Sequence, residues 1–279
     1  MKISVIVPVY NRIENLKYLI YCLKKQSEQI DELIISDDGS SVDVKSFIEK
    51  ETKDTNFSVK YIWQEDLGFR LSRARNNGAR IADGDFLIFV DQDVILPFDL
   101  IKIVKKNVKE NYFLPFKIYW MNEEEKKEFI SEEFEYSNLK LRKKELKKIK
   151  KKIIRSRIKN IKYYLGLKDR GSNITGAAFG VYKNDYIKVN GSDEEYKSWG
   201  KEDDDLSWRL YKAGLKSKHL LLEYPIIHLW HYFDSTKKGD MNEKLFNNKK
   251  AKLTKENFRC KYGYDNILDK DNVKIFKIK

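Results

Sequence analysis

The chain has 279 residues, with 56 Lys and Arg against 43 Asp and Glu, a formal net charge of +13, and 41% hydrophobic residues. That apolar content can build a sizeable core, which excludes a wholly disordered chain. No apolar run reaches the ~20 residues of a membrane span. Two cysteines, Cys22 and Cys260, exclude a disulfide framework and a Cys-based zinc site.

The chain opens directly on a strand-like run with no signal-peptide pattern, so a reducing cytoplasm is the expected compartment. Residues 2–10 read as a buried strand carrying Ile3, Val5, Ile6, Val7 and Val9. Residues 15–25 place Leu16, Leu19, Ile20 and Leu23 at helical spacing. A second strand at 32–36 runs into Asp37-Asp38-Gly39-Ser40, and 42–50 reads as a helix. Residues 59–63 form a third strand, ending near Gln64-Glu65-Asp66. Residues 72–81 read as a helix with small side chains at Ala74, Gly78 and Ala79. A fourth apolar strand at 86–90 ends at Asp91-Gln92-Asp93, and 98–108 reads as a helix.

Strands alternating with helices predict an α/β fold, a mostly parallel sheet with helices on both faces. Ligands then bind beyond the carboxyl ends of the strands. The polar clusters Tyr10-Asn11-Arg12, Asp37-Asp38-Gly39, Gln64-Glu65-Asp66 and Asp91-Gln92-Asp93 all fall at those ends. There is no repeat and no Pro- or Gly-rich linker, so one domain is expected.

The positive charge is local. Residues 138–168 hold 14 Lys and Arg and one acid, Glu145, which accounts for the whole excess. Leu146, Ile149 and Ile153 follow one helical stripe there; Ile154, Ile158, Ile161 and Leu165 follow another. A basic amphipathic helix of this kind fits peripheral contact with an anionic membrane, or a solvated helix packing one stripe on the domain. Nucleic acid is not expected, since no aromatic platform accompanies the charge.

Three constellations can carry chemistry. Asp91 and Asp93 at a strand end can share a divalent cation. The run Trp199-Gly200-Lys201-Glu202-Asp203-Asp204-Asp205 holds four consecutive acids, more than a helix N-terminus alone calls for. One of them beside a metal-bound diphosphate suits a general base, and Trp199 suits stacking on a sugar. Leu206, Leu210 and Ala213 continue as a helix closed by Gly214. His228 and His231 are two of three histidines, and imidazole fits Mn²⁺ better than Mg²⁺. Strand alternation would set them on opposite sides, so that one of the two binds.

Together these motifs resemble family 2 glycosyltransferases of the GT-A (Rossmann-like) fold. Val7-Pro8-Val9-Tyr10-Asn11-Arg12, Asp37-Asp38-Gly39-Ser40 and Asp91-Gln92-Asp93 follow that family's order. The run from Gln64 to Arg70 with Arg75-Asn76-Asn77-Gly78 is similar to the chondroitin-polymerase type. Thr175-Gly176-Ala177-Ala178-Phe179-Gly180-Val181, Val189-Asn190-Gly191 and the acidic run with Arg209-Leu210 resemble β-1,4-galactosyltransferases. The resemblance implies a single domain over 1–279. Within it lie a nucleotide-sugar half at 1–110, a basic helical insertion at 122–170, an acceptor and catalytic half at 171–235, and an extension at 236–279.

The resemblance also implies residue roles. Pro8, Tyr10, Arg12, Asp37, Asp38 and Gln64 fall on the nucleoside side, and Arg75, Asp91 and Gln92 near the donor diphosphate. Asp93 matches the direct ligand of Mn²⁺ (or Mg²⁺), and Asp91 the other acid of the metal motif. His231 aligns better than His228 with the third ligand, because Asp-Ser-Thr-Lys-Lys follows it at 234–238. Asp203 matches the general base and Glu202 its sugar-binding neighbour. Trp199, Gly200, Gly176 and Asp204 border the acceptor. Gln92 in place of Gly, and a single Trp-Gly in place of a doubled one, bear on sugar specificity.

The implied activity is an inverting, metal-dependent transfer of a hexose or N-acetylhexosamine from a UDP-sugar to a saccharide or glycolipid acceptor. The implied setting is bacterial surface polysaccharide synthesis; the compartment expected is cytoplasmic, with the basic segment 138–168 offering peripheral contact with the inner face of the plasma membrane. The other classes are a sugar-nucleotide nucleotidyltransferase, which needs a Gly-rich phosphate loop that Tyr10-Asn11-Arg12-Ile13-Glu14 lacks, and a non-catalytic membrane- or polyanion-binding module.

Overall fold

The computed structural model describes residues 1–129, 135–136, 139–220, 222–232, 242–269 and 272–279. The 234–238 run used to align His231 lies outside the described residues, as does part of the 122–170 insertion.

In chain order the elements are β1 (Ile3–Val9), α1 (Leu16–Lys24), β2 (Glu32–Asp37), α2 (Val44–Glu51), β3 (Ser58–Gln64), α3 (Leu71–Ile81), β4 (Phe86–Val90) and β5 (Val94–Ile95). They continue with α4 (Leu100–Asn107), β6 (Tyr112–Pro115), β7 (Ile118–Trp120), α5 (Glu123–Glu128), α6 (Lys143–Tyr164), β8 (Ala178–Tyr182) and α7 (Lys183–Lys188). The last are α8 (Glu202–Lys212), β9 (Lys216–Ser217), β10 (Ile226–His228), α9 (Glu243–Ala251) and β11 (Val273–Lys277).

Eight strands form one sheet in the order β11-β3-β2-β1-β4-β8-β6-β9. The β3-β2-β1-β4 centre is parallel, as the alternating pattern predicts, while β8 runs antiparallel to β4 and β11 antiparallel to β3. Side chains of β1 divide by parity. Ile3, Val5, Val7 and Val9 join the core under α1, α2 and α4; Ile6 joins the core under α3, α7 and α8. Helices therefore cover both faces. Gly78 of α3 lies so close to β1 that an added Cβ would sit 2.5 Å from Ile6 Cγ2, so this helix packs flush on the sheet.

The parallel register aligns the strand ends. Val9 pairs with Asp37, and Asp37 with Trp63. The polar clusters that follow are stitched together. Tyr10 N–H donates to Gln92 Oε1 at 3.0 Å, Tyr10 O–H to Asp66 at 2.9 Å, and Asn11 N–H to Ser40 Oγ at 2.8 Å.

A second sheet, β5-β10-β7, was not legible in the sequence. Its strands are two and three residues long. Among the described residues, no helix is long and apolar enough to cross a membrane.

Candidate active site

The small sheet builds a cluster able to hold a metal ion. β5 starts immediately after Asp93 and pairs antiparallel with β10, placing Val94 opposite His228. Leu229 N–H donates to Asp93 O at 2.9 Å, which fixes the loop further. Asp93 Oδ1 then lies 3.1 Å from His228 Nε2, and Asp93 Oδ2 lies 3.2 Å from His231 Nε2. The three side chains form a group able to hold one metal ion.

This corrects the expectation that the two histidines face opposite sides. β10 stops at His228, so strand alternation does not reach His231. Each Nδ1 lies within hydrogen-bond distance of a carbonyl, that of Leu229 at 2.9 Å and that of Tyr232 at 2.8 Å. An Nδ1–H donor leaves an Nε2 lone pair facing the carboxylate. Two lone pairs and an anion aimed at one point repel unless a cation lies between them, and a set of two imidazoles and one carboxylate suits Mn²⁺. Burial also lowers the pKa of His231, favouring its neutral, ligating form.

Arg75 of α3 links this side to the acidic run. It is buried, with its guanidinium 5.6 Å from the Phe179 ring centroid. Its Nη2 donates to Gly176 O at 3.0 Å and lies 3.9 Å from Asp91; its Nη1 lies 3.9 Å from Glu202. Asp91 N–H donates to Ala177 O at 3.0 Å. Gly176 N–H donates to Asp203 Oδ2 at 2.9 Å. Residues 176–177 are thus held between Asp91 and Asp203, so the β4 end and the α8 start border one cleft.

The four acids divide their work. Asp205 pairs with Arg209 at 2.6 Å inside the core. Asp204 meets Asn173 and lies 3.6 Å from Arg170, at the end of the basic insertion. Glu202 and Asp203 remain on the cleft beside Arg75. Burial and the neighbouring Asp203 push Glu202 up to about 7. Burial and Asp204 raise Asp203, while Arg75 and the Gly176 N–H oppose that rise. The helix begins after Gly200 at φ +96° and Lys201 at φ +75°, a left-handed kink that ends the loop bearing Trp199. Trp199 is 43% exposed.

On the opposite side, Asp38 accepts from Gln64 and, at 2.8 Å, from Arg70 N–H. Burial nevertheless pushes it up to about 7. Gly39 has φ +83°, and a Cβ there would meet Asp66 N at 2.3 Å, so only glycine fits. Asp37 accepts from Tyr61 O–H and from both the N–H and Oγ of Ser40, at 2.6–2.8 Å, which gives it a role in shaping this loop. Gln64 and Gln92 are likewise engaged within the protein. Pro8 is buried, Tyr10 exposed and Arg12 half-buried.

One site residue escaped the sequence reading. Trp120, 52% exposed, packs its ring against His228 with centroids 4.4 Å apart. The parallel β7-β10 pairing places it there, opposite His228. Nothing in the sequence singled it out, because β7 is three residues long and its partner β10 lies more than 100 residues away.

The sequence profile of Glycosyl transferase family 2 matches residues 4–165, and that of the N-terminal domain of galactosyltransferase matches residues 156–231. The chain belongs to glycosyl transferase family 2. It is similar to chondroitin synthase of Escherichia coli, 26% identical over 228 residues, covering 76% of this chain and 32% of that protein. It is also similar to validoxylamine A glucosyltransferase of Streptomyces hygroscopicus subsp. jinggangensis, 36% identical over 95 residues, covering 33% and 22%. The chain therefore spans about a third or less of these relatives' length.

Among solved structures, Staphylococcus aureus TarS 1–349 in complex with UDP-GlcNAc superposes with TM-score 0.58 at 17% identity, covering 89% of this chain and 64% of that one. A mannosyltransferase of Pyrobaculum calidifontis in complex with GDP-Man and Mn²⁺ gives TM-score 0.58 at 13% identity, covering 90% and 62%. The fold is of the GT-A type.

Proposed function

We propose that the protein is an inverting, metal-dependent glycosyltransferase. It moves a hexose or N-acetylhexosamine from a UDP-sugar to a hydroxyl of a saccharide or glycolipid acceptor. The observation that carries this reading is the Asp93, His228 and His231 group starting two residues beyond Asp91, whose own neighbour Arg75 also faces Glu202, with Asp203 held by the adjoining Gly176 N–H. Neighbours solved with UDP-GlcNAc, or with GDP-Man and Mn²⁺, support a nucleotide sugar and a divalent cation. A bacterial relative, a glucosyltransferase named for an undecaprenol-linked substrate, supports a lipid-linked saccharide acceptor, and surface polysaccharide synthesis is the setting we infer from it.

Asp93, His228 and His231 would hold Mn²⁺ or Mg²⁺, with Asp91 nearby. When bound, the cation supplies positive charge against which the UDP diphosphate departs. Asp203 accepts the proton of the acceptor hydroxyl as that oxygen bonds to the anomeric carbon. The carbon–oxygen bond to the diphosphate breaks on the opposite face, its electron pair leaving with UDP; this opposite-face displacement inverts the centre. The buried setting that raises Asp203 strengthens it as a base, while Arg75 and the Gly176 N–H favour its charged form. Glu202 stands beside the base to accept from a sugar hydroxyl. Pro8, Tyr10, Arg12 and Asp38 receive the nucleoside, and Trp199 walls the acceptor.

The test is UDP release from a panel of UDP-sugars with Mn²⁺ and saccharide acceptors. Asp203→Asn should fold and bind UDP but lose transfer by ~10²-fold or more, the range of general-base catalysis. Unchanged turnover in that variant removes Asp203 from the chemistry.

A further inference from the structure

The long basic helix α6 carries two apolar stripes with different fates. Leu146, Ile149 and Ile153 pack on the core. Asn160 fixes the same side, donating to Ser217 O at 3.0 Å and accepting from Ser172 N–H at 2.8 Å. At 100° per residue, the second stripe lies about 120° around the helix from this packed face. Its members are bare: Ile154 is 58% exposed, Ile158 49%, Ile161 55% and Leu165 68%.

Bases flank this bare stripe. On the helical projection Lys147 and Lys150 sit on or beside it, and Lys151, Arg155 and Lys162 line its other border. All five are exposed. The helix's single acid, Glu145, pairs with Lys148 at 2.6 Å, so these five meet no acid on their own helix. An aliphatic strip edged by cations matches a surface that is apolar beneath and anionic above. A second copy would press two such cationic segments together. A nucleic acid would leave four aliphatic side chains unburied.

We propose that the face of α6 bearing Ile154, Ile158, Ile161 and Leu165 docks the protein, with the helix lying in plane, on an anionic lipid bilayer. Both ends of α6 are tied to the cleft. Arg142 at its start donates to Trp120 O at 2.9 Å, and Arg170 beyond its end lies 3.6 Å from Asp204. A docked α6 therefore holds the cleft beside the headgroups, where a lipid-linked acceptor would be presented. That consequence rests on the transfer reading; the docking does not.

The experiment is flotation of the 279-residue protein with phosphatidylcholine vesicles, with and without phosphatidylglycerol, at low and high salt. Binding is expected only to vesicles containing phosphatidylglycerol, and to weaken with salt. Ile154→Ser, Ile158→Ser and Ile161→Ser together should lower partitioning by about tenfold per residue. Lys147→Gln, Lys151→Gln and Arg155→Gln together should lower it by about fivefold per residue. All six side chains are exposed, so both variants should keep the parent's melting temperature. Equal binding to neutral vesicles, or isoleucine variants that float like the parent, overturns the proposal. So does a lipid-free dimer that the isoleucine variant turns into a monomer. UDP release with a soluble acceptor should be the same in both variants, separating loss of docking from failure of the transfer reading.

Discussion

Replacing Asp93 by Asn separates metal binding from folding because it moves the two in opposite directions. In the metal-free protein the Asp93 oxygens face His228 Nε2 at 3.1 Å and His231 Nε2 at 3.2 Å. An amide NH₂ in the same place can donate to one of those lone pairs, relieving a repulsion and adding a hydrogen bond of about 1 kcal/mol. The metal-free variant should therefore melt at or above the parent temperature. Metal binding should suffer, since the only anionic ligand of the trio is gone; a loss of ~100-fold or more is expected. At a Mn²⁺ concentration of ~100 Kd, the parent gains about 2.7 kcal/mol. For a chain of this size that raises the melting temperature by about 5–10 °C. At the same concentration the variant sits near or below its own Kd and gains about 0.4 kcal/mol, or roughly 1 °C. Thermal unfolding with and without Mn²⁺ reads both effects. A variant that keeps the parent's Mn²⁺ shift, or a parent that shows none, refutes the three-ligand reading.

Arg209→Met should destabilise the fold by about 3–5 kcal/mol, because it leaves Asp205 buried without its 2.6 Å partner and strips donors from the Val189 and Gly191 carbonyls; urea unfolding measures it. Asp38 titrates near 7 in the folded protein, above its unfolded value, because burial disfavours its charge. Its contribution to stability is therefore complete below pH ~4 and is lost as pH rises through ~7. Asp38→Asn should flatten the melting-temperature profile in that window, and an unchanged profile would show that another group sets it. Trp120→Ala exposes the His228 ring face and should weaken Mn²⁺ binding by about 10–100-fold while leaving the melting temperature of the metal-free protein nearly unchanged. Isothermal titration distinguishes this from a Trp120 whose only contacts are with substrate, which would leave metal affinity intact.

What the sequence showed and what it hid follow from the range of the interactions involved. β1 to β4 and α1 to α4 were legible because each buries a face whose apolar spacing is set within ten residues or so. Their boundaries came within two residues of the structure, as with 72–81 against Leu71–Ile81. The clusters at the strand ends were legible for the same reason, since parallel register carries every strand's end to one edge. β5, β7 and β10 were not. Each is too short to have a period, and their pairing joins segments more than 100 residues apart, such as Trp120 and His228.

The metal trio depends on that hidden sheet, which explains why the alternation rule misplaced the histidines. A two- or three-residue strand ends before alternation can orient anything beyond it, and the two imidazole rings are oriented instead by the neighbouring Leu229 and Tyr232 carbonyls. The acidic run was misleading in a different way. Four consecutive acids look like one feature, but on a helix they point in four directions 100° apart. Asp205 therefore goes to Arg209 in the core and Asp204 to Arg170 and Asn173, while Glu202 and Asp203 stay beside Arg75. The helix that begins at Glu202 turns a block of charge into separate positions, one in the core, one facing Arg170 and Asn173, and two beside Arg75. That is why the chemistry of this run follows from where α8 starts, at the left-handed Lys201, rather than from the number of acids in it.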